Sequence, residues 1–401
     1  MKITVTIELR FEIMPDGSVW TLSNFHESFW HRYLEVFDQV EIVARAKRVT
    51  TINTNAKRVD ANPKIIFTAL PFYIGPIGYL KNWKKIRSIL SEVEKRAEAI
   101  ILRVGSPIAD ILQPILISRS HPYAVEVVGD PYDTFAPGSV KSLVRPFYRW
   151  WFCRKLKQQT KHAAGASYVT STRLPDRYPA LQSKKTIFAS SIELLDSQIS
   201  FRAKNYSNKK EFKLICVGAL EDWRKGPDTA LRAVSQLRSK NFNVSLTWIG
   251  DGRSRTFVEK MTNDLNLNNA VNFRGHLPSG EAIFKALDEA DIFILPTRGE
   301  GLPRAMIEAM SRGLVCVGSD VGGIPELISK EFMHQAEDYE ELACIIEYLI
   351  KNENVMNTEA SRNWVKSQDY LSQKLQERRS LLYNELKGIT DDWKKKNITS
   401  C

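Results

Sequence analysis

Cysteine is scarce and scattered: Cys153, Cys216, Cys316, Cys344 and Cys401 are odd in number and form no C-x-x-C pair. That excludes a disulfide framework or structural zinc as the organising principle and leads us to expect a reducing compartment. There is no D-x-D, no H-E-x-x-H and no His or Cys cluster at ligand spacing, so no metal site is expected. The acids of "DEAD" (288–291) and "DPYD" (130–133) read as a helix end and a loop. No long apolar run exists either. The most apolar window, "AIILRVGSPIADILQPILI" (99–117), is interrupted by Arg103, Pro107, Asp110 and Pro114 and reads as strand, turn and helix, not a membrane span. The opening "MKITVTIELRFEI" alternates like a strand and lacks the apolar centre of a signal peptide, so a cytoplasmic chain is expected. G-x-G-x-x-G fingerprints, nucleophile triads, short-period repeats and low-complexity tracts are all missing.

What is present is an ordinary globular composition, 43% hydrophobic and 26% charged. At 401 residues the chain suits two domains. The charge of +11 is uneven: residues 1–200 hold 28 Lys+Arg against 18 Asp+Glu, and residues 201–401 hold 29 against 28. An anionic partner would therefore meet the first half.

In the second half, apolar strand-like runs (213–220, 243–252, 270–275, 290–297 and 313–320) alternate with segments of helical periodicity. That alternation implies a parallel sheet with helices on both faces. The first half repeats it less cleanly, with strand candidates at 3–13, 40–47, 64–72, 99–104, 123–130, 166–172 and 184–190. We expect an N-terminal domain over 1–200, a polar linker over 201–211, a second domain over 212–365 and a helical segment over 366–401. Ligands of such sheets bind beyond the carboxyl ends of the strands, so the functional residues should lie in the loops that follow them.

One of those loops is "PTRGEGLPRAMIEAMSRG" (296–313). Glu300 follows the strand, Pro303 suits a first helical position, and Glu308 falls inside the helix. The free amides of roughly Leu302 to Ala305, including Pro303's neighbour Arg304, favour an anion such as phosphate. Carboxylates suit the neighbouring hydroxyls, because each can accept from both members of a vicinal diol. Phosphate between hydroxyl-bearing groups describes a nucleotide-sugar; the bland alternative is a loop glutamate and a solvated helix glutamate. In "VGALEDWRKGPDTALRAV", a strand ends at Gly218 and the next loop carries Arg224 and Lys225, two cations that suit a diphosphate. "WIGDGRSR" (248–255) ends a third strand at Gly250.

Taken in order, "VGALEDWRKG", "IGDG", "VNFRGHL", "ADIFILPTRGEGLPRAMIEAMSRG" and "VGGIPELI" resemble the family 4 glycosyltransferases, with a looser likeness of the first half to bacterial surface-polysaccharide members. The resemblance implies a GT-B fold: two Rossmann-like doubly wound parallel-sheet domains facing a central cleft, with a C-terminal helix crossing back to the first. It also implies metal-independent, retaining transfer of a hexosyl unit from a UDP- or GDP-sugar, a substrate and not a cofactor, to a glycan hydroxyl. By position, Glu300 with the amides of Gly301 and Leu302 would hold the donor sugar, Glu308 the ribose diol, and Lys225 with Arg224 the diphosphate, which itself takes the acceptor proton. Two departures stand out: Ala219 replaces a frequent arginine, for which Arg224 or Arg304 could compensate, and Gly129 replaces a frequent histidine before the acceptor-side Asp130. A GT-B epimerase, or a degenerate member that only binds a membrane or partner protein, are the alternatives.

From Val140 to Arg173 no acid occurs, while eight basic residues and Phe147, Tyr148, Trp150, Trp151 and Phe152 do. Interleaved aromatics and cations suit an anionic membrane surface. Such a partner fits the lipid-linked acceptors common in the resembling family and a peripheral site on the cytoplasmic face. Tryptophans in the core with solvated charges is the plainer alternative. No nucleic-acid motif accompanies the patch.

Overall fold

A computed structural model of the chain describes every residue except 137–142, 182–183, 201–202, 279 and 399–401. Val140 and Lys141 of the basic stretch, and the first two linker positions, lie outside the described residues. The chain packs into two compact units: Met1–Gly129, Trp150–Ala189 and Gln376–Cys401 form one, and Asp130–Arg149 and Ser190–Leu375 the other.

In the first unit, Ile65–Leu70, Gln39–Arg48, Lys2–Ile13, Ala99–Val104, Ala124–Val127, Gly165–Tyr168 and Lys185–Phe188 run parallel in that order across one sheet. Short strands Val19–Thr21 and Lys57–Arg58, not anticipated from the sequence, add an antiparallel flap to the far end of Lys2–Ile13. All six residues of Ala99–Val104 are buried, as expected of a strand covered on both faces. The helix Pro107–Ser118 follows it, started by Ser106, whose Oγ accepts from the Ala109 amide at 3.1 Å. The helix Gly75–Arg96 turns Ile86, Leu90 and Val93 inward.

The C-terminal helix Ser372–Ile398 belongs, from Gln376 onward, to this first unit. Tyr383 donates to Glu126 at 2.9 Å, Tyr33 donates to the same carboxylate at 3.0 Å, and Arg103 forms an ion pair with it. All four side chains are buried, so the pairing satisfies a carboxylate and a guanidinium that would otherwise be costly in the interior. Burial beside this cluster pushes Arg379 down to about 10, with Arg32 adding repulsion.

The second unit's six strands are also parallel, in the order Val271–Gly275, Val244–Ile249, Phe212–Val217, Ile292–Leu295, Val315–Ser319, Met333–His334. The chain winds outward in one direction, returns to the middle, and winds outward in the other. The reversal falls between Phe212–Val217 and Ile292–Leu295, the switch point where sheets of this kind bind ligands, and the loops leaving those two strands are neighbours there. Those loops are 218–226 and 296–303, the two that carry Lys225 and Glu300.

Candidate active site

The loop after Phe212–Val217 closes in a single 3-10 turn, Trp223–Lys225, with the Asp222 carboxylate accepting from the Arg224 amide at 2.9 Å. Gly226 then takes φ +67° and starts the helix Pro227–Ser239. A Cβ there would lie 1.8 Å from the Pro296 carbonyl oxygen, so glycine is required twice over: by conformation and by the approach of the neighbouring loop. Gly218, at the strand end, would bring a Cβ to 3.0 Å from the Lys225 Cγ; its bare backbone is the floor along which the lysine chain lies.

The second loop is tied to the first by Arg298. Its guanidinium makes a fork to Asp228 at 3.0 and 2.6 Å, reaches Glu337 at 2.6 Å and also donates to the Trp223 carbonyl. The Arg298 amide and the Thr297 hydroxyl both donate to the Arg224 carbonyl, at 2.7 and 3.0 Å. The turn carrying Lys225 is therefore held against the loop carrying Glu300, and the two side chains form a half-buried ion pair. Gly250 sits at the adjacent strand end, where the Gly218 amide bonds to Ile249 at 2.8 Å. Gly301 is braced from behind by the Gly323 amide at 2.6 Å, and Leu302 is buried.

The helix runs Arg304–Ser311, with Pro303 at the capping position, not at the first helical position expected for it, because its ψ of 107° is extended. The first amides of a helix lack intrahelical partners, and this helix starts a few residues beyond the end of the strand Ile292–Leu295. Glu308 is half-buried, and among the described residues its carboxylate makes no hydrogen bond or ion pair. Burial pushes its carboxyl up to about 7, with Arg304 pulling weakly the other way. The fold thus leaves a poorly solvated carboxyl without a protein partner in the second turn of this helix.

The remaining expected residues divide. Arg224 is exposed and turns to Asp222 at 3.2 Å, so the two adjacent cations have different partners. Arg304 is exposed on the first turn of its helix. Asp130 caps the short helix Pro131–Thr134, accepting from the Tyr132 amide at 2.8 Å, where a loop was expected. That turn is close to the site: the Asp133 carbonyl lies 3.4 Å from where Gly299 would carry a Cβ. Among the described residues no group of three or more His, Cys, Asp or Glu side chains is placed to hold a metal ion. Arg298 and Asp228 were missed in sequence. They are 70 residues apart, and nothing local marks an arginine in a turn as the staple between two loops.

Residues 211–352 match the family glycosyl transferases group 1. Over 380 residues the chain is 28% identical to Protein CapJ of Staphylococcus aureus, covering 93% of each. It is 36% identical over 122 residues to the amylovoran biosynthesis glycosyltransferase AmsK of Erwinia amylovora, 29% of this chain and 30% of that one. Among solved structures, Anabaena Alr3699/HepE in complex with UDP superposes with a TM-score of 0.65 at 15% identity, covering 95% of this chain and 98% of that chain. That likeness establishes the fold, which is GT-B. The chain thus carries a glycosyl transferases group 1 domain, built over residues 211–352, and both loops of the site lie within it.

Proposed function

We propose that the protein is a retaining hexosyltransferase of bacterial surface-polysaccharide synthesis, moving a sugar from a UDP- or GDP-sugar to a hydroxyl of a lipid-linked glycan at the cytoplasmic face of the membrane. The observation that carries it is the meeting of Lys225 and Glu300 at the switch point of the second sheet, with unpartnered Glu308 on the helix that follows. The family match to 211–352 and the relatives CapJ and AmsK favour the same reading.

In this reading Lys225 exchanges Glu300 for the donor diphosphate, helped by the amides at Leu302 to Ala305. Glu300, released, accepts from sugar hydroxyls, and Glu308 accepts from the ribose diol. The anomeric C–O bond to the diphosphate breaks, the acceptor oxygen bonds to the same face of the anomeric carbon, and the acceptor proton passes to the departing diphosphate. Protein cations and amides stabilise that leaving group, so the step needs no metal ion. Asp130, in its turn beside the Glu300 loop, would serve the acceptor side in this reading.

The proposed membrane partner has its own support. In the helix Arg145–His162 the aromatics Phe147, Trp150 and Trp151 are exposed among lysines and arginines, against the plainer expectation of tryptophans in the core. Among the described residues no helix is long and apolar enough to cross a membrane.

The deciding assay is a thermal-shift screen of nucleotide-sugars, followed by transfer or hydrolysis with the donor found. Rates in Lys225→Ala and Glu308→Ala should fall by about two orders of magnitude or more, as for other lost leaving-group or positioning contacts. Unchanged rates in both would end the assignment.

A further inference from the structure

The first unit carries a second surface of the same chemistry that the sequence reading passed over. The helix Gly75–Arg96 packs through Ile86, Leu90 and Val93, and Tyr79 of its first turns lies against Tyr73, but the other large groups there stay in the open: Ile74 is 63% exposed, Ile77 72%, Leu80 68% and Trp83 38%. Ile77, Leu80 and Lys84 follow the i, i+3, i+7 spacing that aligns side chains on one side of a helix. Four large apolar groups over ten residues form a contiguous patch, not the scattered exposure normal for a surface.

The charge around them is of one sign. From Ala61 to Ser91 there is no aspartate or glutamate, and Lys64, Lys81, Lys84, Lys85 and Arg87 are the ionised side chains of that stretch. Lys81, Lys84 and Lys85 are exposed directly after the apolar turns, and the Arg87 guanidinium lies 5.6 Å from the Trp83 ring centroid. Apolar side chains and a tryptophan leading, with lysines one turn behind, are the arrangement of an interfacial helix: the apolar groups enter the acyl boundary and the cations remain at the headgroups. A protein partner would meet the same apolar groups, but it would also need an acidic surface matched to three lysines. An anionic bilayer supplies that charge without registration.

We propose that the first turns of Gly75–Arg96 dock the protein onto an anionic lipid bilayer. The inference rests on the membrane partner proposed above but assigns it to a different element from the helix Arg145–His162, and the experiment separates the two. The full chain is floated with vesicles of phosphatidylcholine alone and of phosphatidylcholine with about one-third phosphatidylglycerol, whose anionic headgroups supply the negative surface potential. Three variants are compared with the wild type: Ile77→Ser/Leu80→Ser/Trp83→Ser, Lys81→Gln/Lys84→Gln/Lys85→Gln, and Trp150→Ser/Trp151→Ser. The positions changed in Gly75–Arg96 are exposed, so thermal melts of its two variants should stay close to the wild type.

Wild-type protein should partition onto anionic vesicles at least about tenfold better than onto neutral ones. Each lysine removed should lower that partition by about fivefold, and all three by roughly a hundredfold. The apolar variant should lose at least about tenfold. If both Gly75–Arg96 variants float like the wild type and only Trp150→Ser/Trp151→Ser is lost, this inference is overturned while the membrane reading survives. If no form floats, both fall. Equal partition onto neutral vesicles overturns it as well. So does a wild-type dimer in solution that Ile77→Ser/Leu80→Ser/Trp83→Ser converts to monomer, because a second copy would then be the occupant.

Discussion

Glu308 offers a test that needs neither donor nor acceptor. Its carboxyl stands at about 7 in the folded protein against an ordinary value of 4.5, and the first cause is burial. Between those two values the unfolded chain has released the proton and the folded chain has not, so the unfolded state binds fewer protons and stability falls as pH rises. The full interval corresponds to about 3 kcal/mol. Partial water contact at a half-buried side chain reduces the expected loss to about 1–2 kcal/mol. Glu308→Gln keeps the shape and removes the titration. Melting curves of the two proteins should nearly coincide at pH 4.5, and the variant should become the more stable by roughly 2–8 °C by pH 8, given about 2–4 °C per kcal/mol for a unit of this size. The difference must grow with pH and level off above the folded value. Parallel curves, or a variant that is the less stable at pH 8, would refute the claim that the ionised Glu308 is poorly solvated in the empty site.

Two further substitutions probe the parts that hold the site and the fold. Arg298→Lys keeps the charge but loses the fork to Asp228, so the Trp223–Lys225 turn should loosen. We expect a loss of about 1–3 kcal/mol in thermal or urea melts and at least tenfold weaker nucleotide binding by calorimetry; unchanged affinity would show that Arg298 does not position Lys225. Glu126→Gln leaves the buried Arg103 guanidinium without its counter-charge and should cost about 3–5 kcal/mol in denaturant melts, with faster proteolysis of the C-terminal helix. A change under about 1 kcal/mol would mean that Tyr33 and Tyr383 suffice to accommodate the guanidinium.

Local pattern carried most of the strands, because a parallel strand covered on both faces is a continuous apolar run ended by glycine or proline. Phe212–Val217, Val244–Ile249 and Val315–Ser319 begin within two residues and end within three of the expected runs. Their carboxyl ends followed from the same reading, and with them the positions of Gly218, Gly250 and Glu300. Strands of two or three residues, such as Val19–Thr21 and Lys57–Arg58, were illegible, since the register that makes them strands comes from a partner far along the chain. The Lys225–Glu300 pair and its Arg298 staple were illegible for the same reason: each side chain looks like an ordinary charged loop residue until the strand order makes its loop a neighbour of the other. Interleaved aromatics near 147–152 announced themselves by composition. The apolar turns at 74–83 went unread, because periodicity alone does not say whether an apolar stripe finds anything to cover it.

The return of the C-terminal helix to the first unit also has a consequence for how the protein is made. Glu126 and Arg103 are synthesised long before Tyr383, which lies 257 residues beyond Glu126 and completes the cover over that carboxylate. At about 5–20 residues per second, the ribosome leaves this charged pair without its last partner for roughly 13–50 s, while Ser190–Leu375 is being made. The first unit, by contrast, cannot reach its native packing until Tyr383 has followed the whole of the second unit out of the ribosome. The order of birth is the reverse of the order of completion.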